Sequence, residues 1–88
     1  MRYNYLMHIG DDLREEVLNR LRRIEGQVRG VQRLVEQKAD CKKVASQVKA
    51  ARTAMDAAGK LVLACYLAEA LQNKQLNERQ AFELISRF

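Results

Sequence analysis

Residues 20–30 read RLRRIEGQVRG: four arginines, one glutamate, two glycines and three aliphatic side chains, with no proline. Such a stretch can be a basic loop, a phosphate cradle or one face of a helix, and the residues around it decide. Leu13, Val17, Leu21, Ile24, Val28, Val31 and Leu34 recur in steps of three and four, the spacing of a helix face. Asp11 or Asp12 can cap its start, with Glu15 and Glu16 in the first turn, where the helix dipole favours anions. The stretch therefore lies mid-helix, and its arginines flank the apolar seam or face solvent. A phosphate cradle fails on context, since no strand precedes Gly26 and Gly30 and no Gly-Lys-Ser/Thr follows. Each glycine costs about 1 kcal/mol against alanine inside a helix. Their four-residue spacing puts both on one face, where another helix can come close.

A break falls at residues 37–40, and Asp40 is a good N-cap for a second helix. Its seam runs Val44, Val48, Ala51, Met55, Ala58, Val62 and Cys65, and it should end near Gln72 or Asn73. Asn77, with Glu78 and Gln80, starts a short third helix carrying Ala81, Phe82, Leu84, Ile85 and Phe88. The expected fold is all-α: a three-helix protomer with two long antiparallel helices and a short C-terminal one. A hairpin leaves one apolar side open, and two hairpins closing into an antiparallel four-helix bundle would cover it.

Eighty-eight residues make a single domain, 1–88, with 1–10 expected to be a flexible tail. A domain this small is marginal alone, and oligomerisation is a common remedy. Two cysteines, no signal peptide and no membrane-length apolar run predict a cytoplasmic protein with no membrane partner. The net charge is +5, concentrated in the middle: residues 20–60 hold eleven lysines and arginines against four acids. A basic middle between near-neutral ends suits a polyanion, or is simply a solvated helix surface. No helix-turn-helix spacing, zinc-finger ligand set or RNA-binding motif is present, so DNA binding would need a broad helical surface.

Cys41 opens the second helix with Lys38, Lys42 and Lys43 nearby, the setting of reactive thiols, although Asp40 works the other way. Cys65 falls on the seam, where a small buried hydrophobe is the plain reading. Twenty-four residues separate the two, about 36 Å on a continuous helix, so one chain cannot bring them together. In an antiparallel dimer Cys41 could face Cys65 of the other copy. Tyr66 is either core or a hydrogen-bonding neighbour of such a site. His8, the one histidine, is a tail residue or a distal metal ligand.

RLRRIEGQVRGVQRLVE, then Asp40-Cys41, then QVKAARTAMDAAGKLVLACYL, resembles the CsoR/RcnR/FrmR family of bacterial transcriptional repressors. The resemblance covers residues 13–84, and Arg23-Ile24-Glu25-Gly26-Gln27-Val28 is its most specific part. It implies an antiparallel four-helix dimer and a flat tetramer. It implies operator DNA bound through basic helix faces and released when a site at the first cysteine of the second helix is occupied or modified. Arg20 is the DNA contact the family supports best; Arg23, Lys49, Arg52 and Lys60 join it on charge and face. The copper branch resembles cysteine, then histidine at the position of Tyr66, then cysteine or histidine at that of Ala70, and only Cys41 remains here. The nickel/cobalt branch needs several histidines. The formaldehyde branch resembles a proline where Arg2 stands. The persulfide branch uses two cysteines across the dimer, but its second is expected at Ala70, whereas this chain has Cys65.

Three functions follow. The first is a repressor released by thiol chemistry at Cys41, a persulfide or another electrophile, with Cys65 of the partner chain resolving and Tyr66 beside it. It requires no cofactor. The second is a metal-responsive repressor in which Cys41 and Cys65 from opposite chains, with His8 as a distal ligand, hold Cu(I), an ion suited to two thiolates. The third is a helical scaffold without salt-dependent DNA affinity. No nucleophile with an adjacent base and no general-base pair is evident, so an enzyme is not expected.

Overall fold

The protein is described by a computed structural model covering residues 10–88. His8 and all of the expected tail except Gly10 lie outside the described residues. Three helices follow one another: α1 (Asp11–Glu36), α2 (Cys41–Gln72) and α3 (Glu78–Arg87). The all-helical expectation and its boundaries stand, with one correction at the first terminus. Gly10 is the N-cap of α1 and no side chain caps it; Asp11 and Asp12 fall inside the first turn, where they meet the positive end of the dipole.

The other termini carry their own signals. Asp40 caps α2, its carboxylate accepting from the Lys43 amide at 2.8 Å. Asn77 and Gln80 form a reciprocal capping box at α3, with bonds of 2.8 and 3.0 Å. α1 and α2 end in the same way. The residue after each C-cap, Lys38 and Lys74, turns left-handed, at φ 59° and 57°. The amides of Lys38 and Ala39 then return to the carbonyls of Val35 and Leu34, and those of Lys74 and Gln75 to Leu71 and Ala70. Glycine is usual there, because an L side chain in this conformation is strained by about 1 kcal/mol. Lys38→Gly is therefore expected to stabilise the chain by about 0.5–1 kcal/mol. The check is the urea midpoint, and a lower midpoint would show that the lysine side chain contributes more than its backbone strain costs.

The 37–40 connection folds α2 back along α1, and α3 packs on α2 without touching α1. The described chain is an elongated slab of 52 × 27 × 17 Å. Val17 and Ile24 of α1 are buried with Ala58 and Cys65 of α2. Leu67, Ala70 and Ala81 are buried toward the α3 end. Burying a side chain such as Ile24 contributes about 2–3 kcal/mol.

Both seams are narrower than their periodicity suggested. Leu21, Val28 and Val35 are 39–57% exposed, and Val48, Met55 and Val62 are 44–52% exposed. The reason is geometric. The contact line of α2 follows Val44, Ala51, Ala58 and Cys65, while Val48, Met55 and Val62 are turned some 40–80° from Ala58 at about 100° per residue. Leu21, Val28 and Val35 are rotated likewise from Ile24. Because the helices are antiparallel, both displaced sets lie on the same side of the hairpin and make one continuous open apolar face. The expected close approach at Gly26 and Gly30 is not supplied by this chain: a Cβ at either would meet nothing within 4 Å. A close approach occurs instead at Gly59, where an added Cβ would lie 3.2 Å from the Phe88 ring.

Candidate functional site

Cys41 is exposed at the first position of α2. The helix start does not depend on it, because Asp40 supplies the cap. Seven-residue steps from Cys41 lead through Val48, Met55 and Val62 to Glu69, so the thiol stands at one end of the open apolar face. Tyr66 lies at the other end of that face and is 36% exposed.

Cys65 is buried at 2% exposure, and its thiol donates to Oε1 of Glu69 at 3.4 Å. Glu69 is itself 1% exposed, the one buried charged residue among those described. Sequence reasoning passed over it. The available signal was the four-residue step from Cys65, which stacks the two side chains on one helix face. The Cys65–Glu69 pair and Cys41 stand on the same continuous helix, so the separation of the two thiols within a chain is about 36 Å.

The residues expected to meet DNA divide. Arg20 and Arg23 come together with Ile24, Gln27 and Ala54 in a groove on the polar flank of the hairpin, opposite the apolar face. Arg20 also pairs with Glu16 at 3.0 Å. Lys49, Arg52 and Lys60 are exposed on α2 and line neither this groove nor its continuation toward Gln47. Lys60 instead rims an apolar hollow with Leu63, Ala64, Leu67, Ile85 and Phe88.

With this geometry in view, residues 13–88 match the sequence model of a family described as metal-sensitive transcriptional repressor. The chain belongs to that family. It is also 42% identical over 50 residues to the copper-sensing transcriptional repressor CsoR of Bacillus subtilis (strain 168), a match covering 57% of this chain and 50% of that protein. The chain thus aligns with half the length of that curated relative. No solved structure matches it. No helix among the described residues is long and apolar enough to cross a membrane.

A metal-sensitive repressor needs a donor set, and the described residues of one chain do not gather it. No group of three His, Cys, Asp or Glu among them is placed to hold an ion. Cys65 and Glu69 offer one sulfur and one carboxylate, but in a buried position and far from Cys41. Tyr66 and Ala70 contribute no soft ligand. Any metal site built on both cysteines must therefore be shared between copies.

Proposed function

We propose that this repressor binds operator double-stranded DNA as an antiparallel dimer, itself paired into a tetramer, and lets go when an inducer acts at Cys41. The observation that carries the reading is the position of Cys41, exposed and at the end of a long apolar face that one protomer leaves uncovered. A two-fold axis beside Met55 would set Val48 of one copy against Val62 of the other. It would bring Cys41 to the region of Cys65, Tyr66 and Glu69. Occupying or modifying that junction would alter the fit of the two hairpins, and with it the spacing of their basic surfaces.

Thiol chemistry is the first assignment for the inducer. The Cys41 thiolate attacks the terminal sulfur of an organic persulfide, forming Cys41 persulfide and expelling a thiolate. The Cys65 thiol of the other copy then attacks the Cys41 sulfur, closing a disulfide and releasing hydrogen sulfide. The second step requires Cys65 to leave its buried place beside Glu69; the first requires Cys41 alone. The second reading, Cu(I) held by Cys41 and the other copy's Cys65 with His8 as a distal donor, draws on the likeness to a copper-sensing protein. It demands both sulfurs within about 2.3 Å of one ion, a metal–thiolate bond length.

The test is fluorescence anisotropy of the reduced protein on DNA from upstream of its own coding region. Persulfide and Cu(I) are added separately, and each mixture is followed by intact mass. Release by persulfide with a mass gain or a crosslinked dimer assigns sulfur chemistry. Release by stoichiometric Cu(I) without covalent change assigns the metal. Release by neither would remove both. On the DNA side, Arg20→Ala is expected to weaken binding and lower the salt slope by about one unit. An unchanged affinity and slope would take Arg20 off the DNA surface.

A further inference from the structure

We propose that the hollow between α2 and α3 binds a medium-chain aliphatic carboxylate, its hydrocarbon tail lying between the two helices and its head on the Lys60 ammonium. The inference is independent of the repressor reading. It involves neither the groove of Arg20 and Arg23 nor the apolar face that carries Met55.

The lining pairs one cation with apolar walls. Lys60, Leu63, Ala64 and Leu67 form a single stripe of α2, at steps of three and four, and Ile85 and Phe88 meet it from α3. No carboxylate, side-chain amide or hydroxyl lines the hollow, and Lys60 makes no ion pair among the described residues. Such a wall is complementary to a molecule with one anionic head and an apolar body. A polyanion would use the lysine and leave the rest of the lining in water.

Shape limits the tail. Leu67 is buried and Leu63 half-buried, so packing sets the floor of the hollow. Ile85 and Phe88, 53% and 66% exposed, make the outer wall. Gly59 leaves room for the Phe88 ring. The volume is about 290 Å³, near the lower end of small-molecule sites at roughly 300 Å³. A methylene fills about as much space as one water of the liquid, roughly 30 Å³, so a chain of about nine or ten carbons fits.

A second copy of the chain fits this hollow less well. Lys60 and Leu67 are turned about 120–140° from Met55 around α2, so pairing through the Met55 face leaves the hollow open. A symmetric contact through the hollow itself would enclose two lysines in an apolar joint whose lining has no carboxylate to receive them. An aliphatic carboxylate brings that partner with it.

The experiment is titration calorimetry of the full chain with octanoate, decanoate and decylammonium, below the concentrations at which any of them forms micelles. Each buried methylene should tighten binding about fourfold, so decanoate should bind about fifteenfold more tightly than octanoate. Lys60→Gln should weaken decanoate about fivefold, the upper end for an exposed ion pair. Lys42→Gln, an exposed lysine at the far end of α2, should bind decanoate as the parent does. Ala64→Phe fills the hollow from an exposed helix position and should abolish binding of both carboxylates. Far-UV circular dichroism confirms that each variant folds, and Lys60→Gln decides alone if Ala64→Phe does not. A parent that gives no heat with decanoate overturns the proposal, as does decylammonium binding as tightly as decanoate. Equal binding of decanoate by the parent and a folded Ala64→Phe would place the tail elsewhere. If Ala64→Phe instead sediments as a smaller assembly than the parent, the hollow is an interface between copies and the ligand assignment is wrong. Operator binding is read separately, so each of these failures leaves the repressor reading standing.

Discussion

Cys41→Ser is expected to keep the affinity of the reduced protein for its operator within about twofold while abolishing release by persulfide or Cu(I). The first half follows from position. Cys41 is exposed, the Asp40 carboxylate rather than the thiol caps α2, and serine is nearly the same size. Surface substitutions of this kind usually change stability by less than about 0.5 kcal/mol. The second half follows from chemistry. A hydroxyl neither attacks sulfane sulfur as a thiolate does nor serves as a soft ligand for Cu(I). Coupling between an effector and a binding site commonly changes affinity by about 5- to 150-fold, and here that factor should fall to one. The measurement is the ratio of operator affinities with and without each inducer. If Cys41→Ser still responds, the inducer acts elsewhere; if it loses DNA affinity outright, Cys41 is structural. Cys65→Ala separates the two inducer chemistries. Modification of Cys41 alone survives it, whereas a two-sulfur copper site does not.

The helices were legible because the signals that set them are local. Steps of three and four, Asp40 before Cys41, and Asn77 three residues before Gln80 each place an element without reference to the rest of the chain. The start of α1 was less so, since an aspartate inside the first turn reads much like an aspartate at the cap. Which of the apolar positions are buried was not legible at all from period alone. Val44 and Val48 both belong to a helical apolar pattern, and only the way α1 lies against α2 makes one half-buried and the other exposed. The candidate site shows the same division. Cys41 could be placed by its helix start, and the impossibility of its meeting Cys65 within one chain by residue count. That Cys65 is buried against Glu69, and that Arg23 opens onto a carboxylate-free groove while Arg20 is tied to Glu16, are products of packing and pairing.

Met55→Lys should convert the assembled protein to monomers and reduce operator affinity by at least about a hundredfold. Met55 lies near the middle of α2, between Val48 and Val62 on the open apolar face, and is 52% exposed in a single chain. A lysine there costs the isolated protomer little, because its charge stays in water. In an antiparallel pair centred on this residue, two lysines would face each other where two thioethers packed. Each would be drawn out of water without a partner, a penalty of several kcal/mol per ion. That exceeds what the 1.4 kcal/mol per tenfold relation needs for a hundredfold loss of association. Sedimentation velocity reads the assembly and far-UV circular dichroism reads the fold, so dissociation and misfolding are told apart. Met55→Leu, similar in volume and apolar, should sediment like the parent. If Met55→Lys also does so, the apolar face is not where copies meet. The consequence for sensing is as direct. Cys41 stands at the end of this face, about 36 Å from Cys65 of its own chain, so any chemistry needing both sulfurs exists only while two copies are paired. The monomeric variant should accept a persulfide at Cys41 and form no interchain bridge. Detection of that bridge in a monomer would mean that the two cysteines meet by a route other than the apolar face.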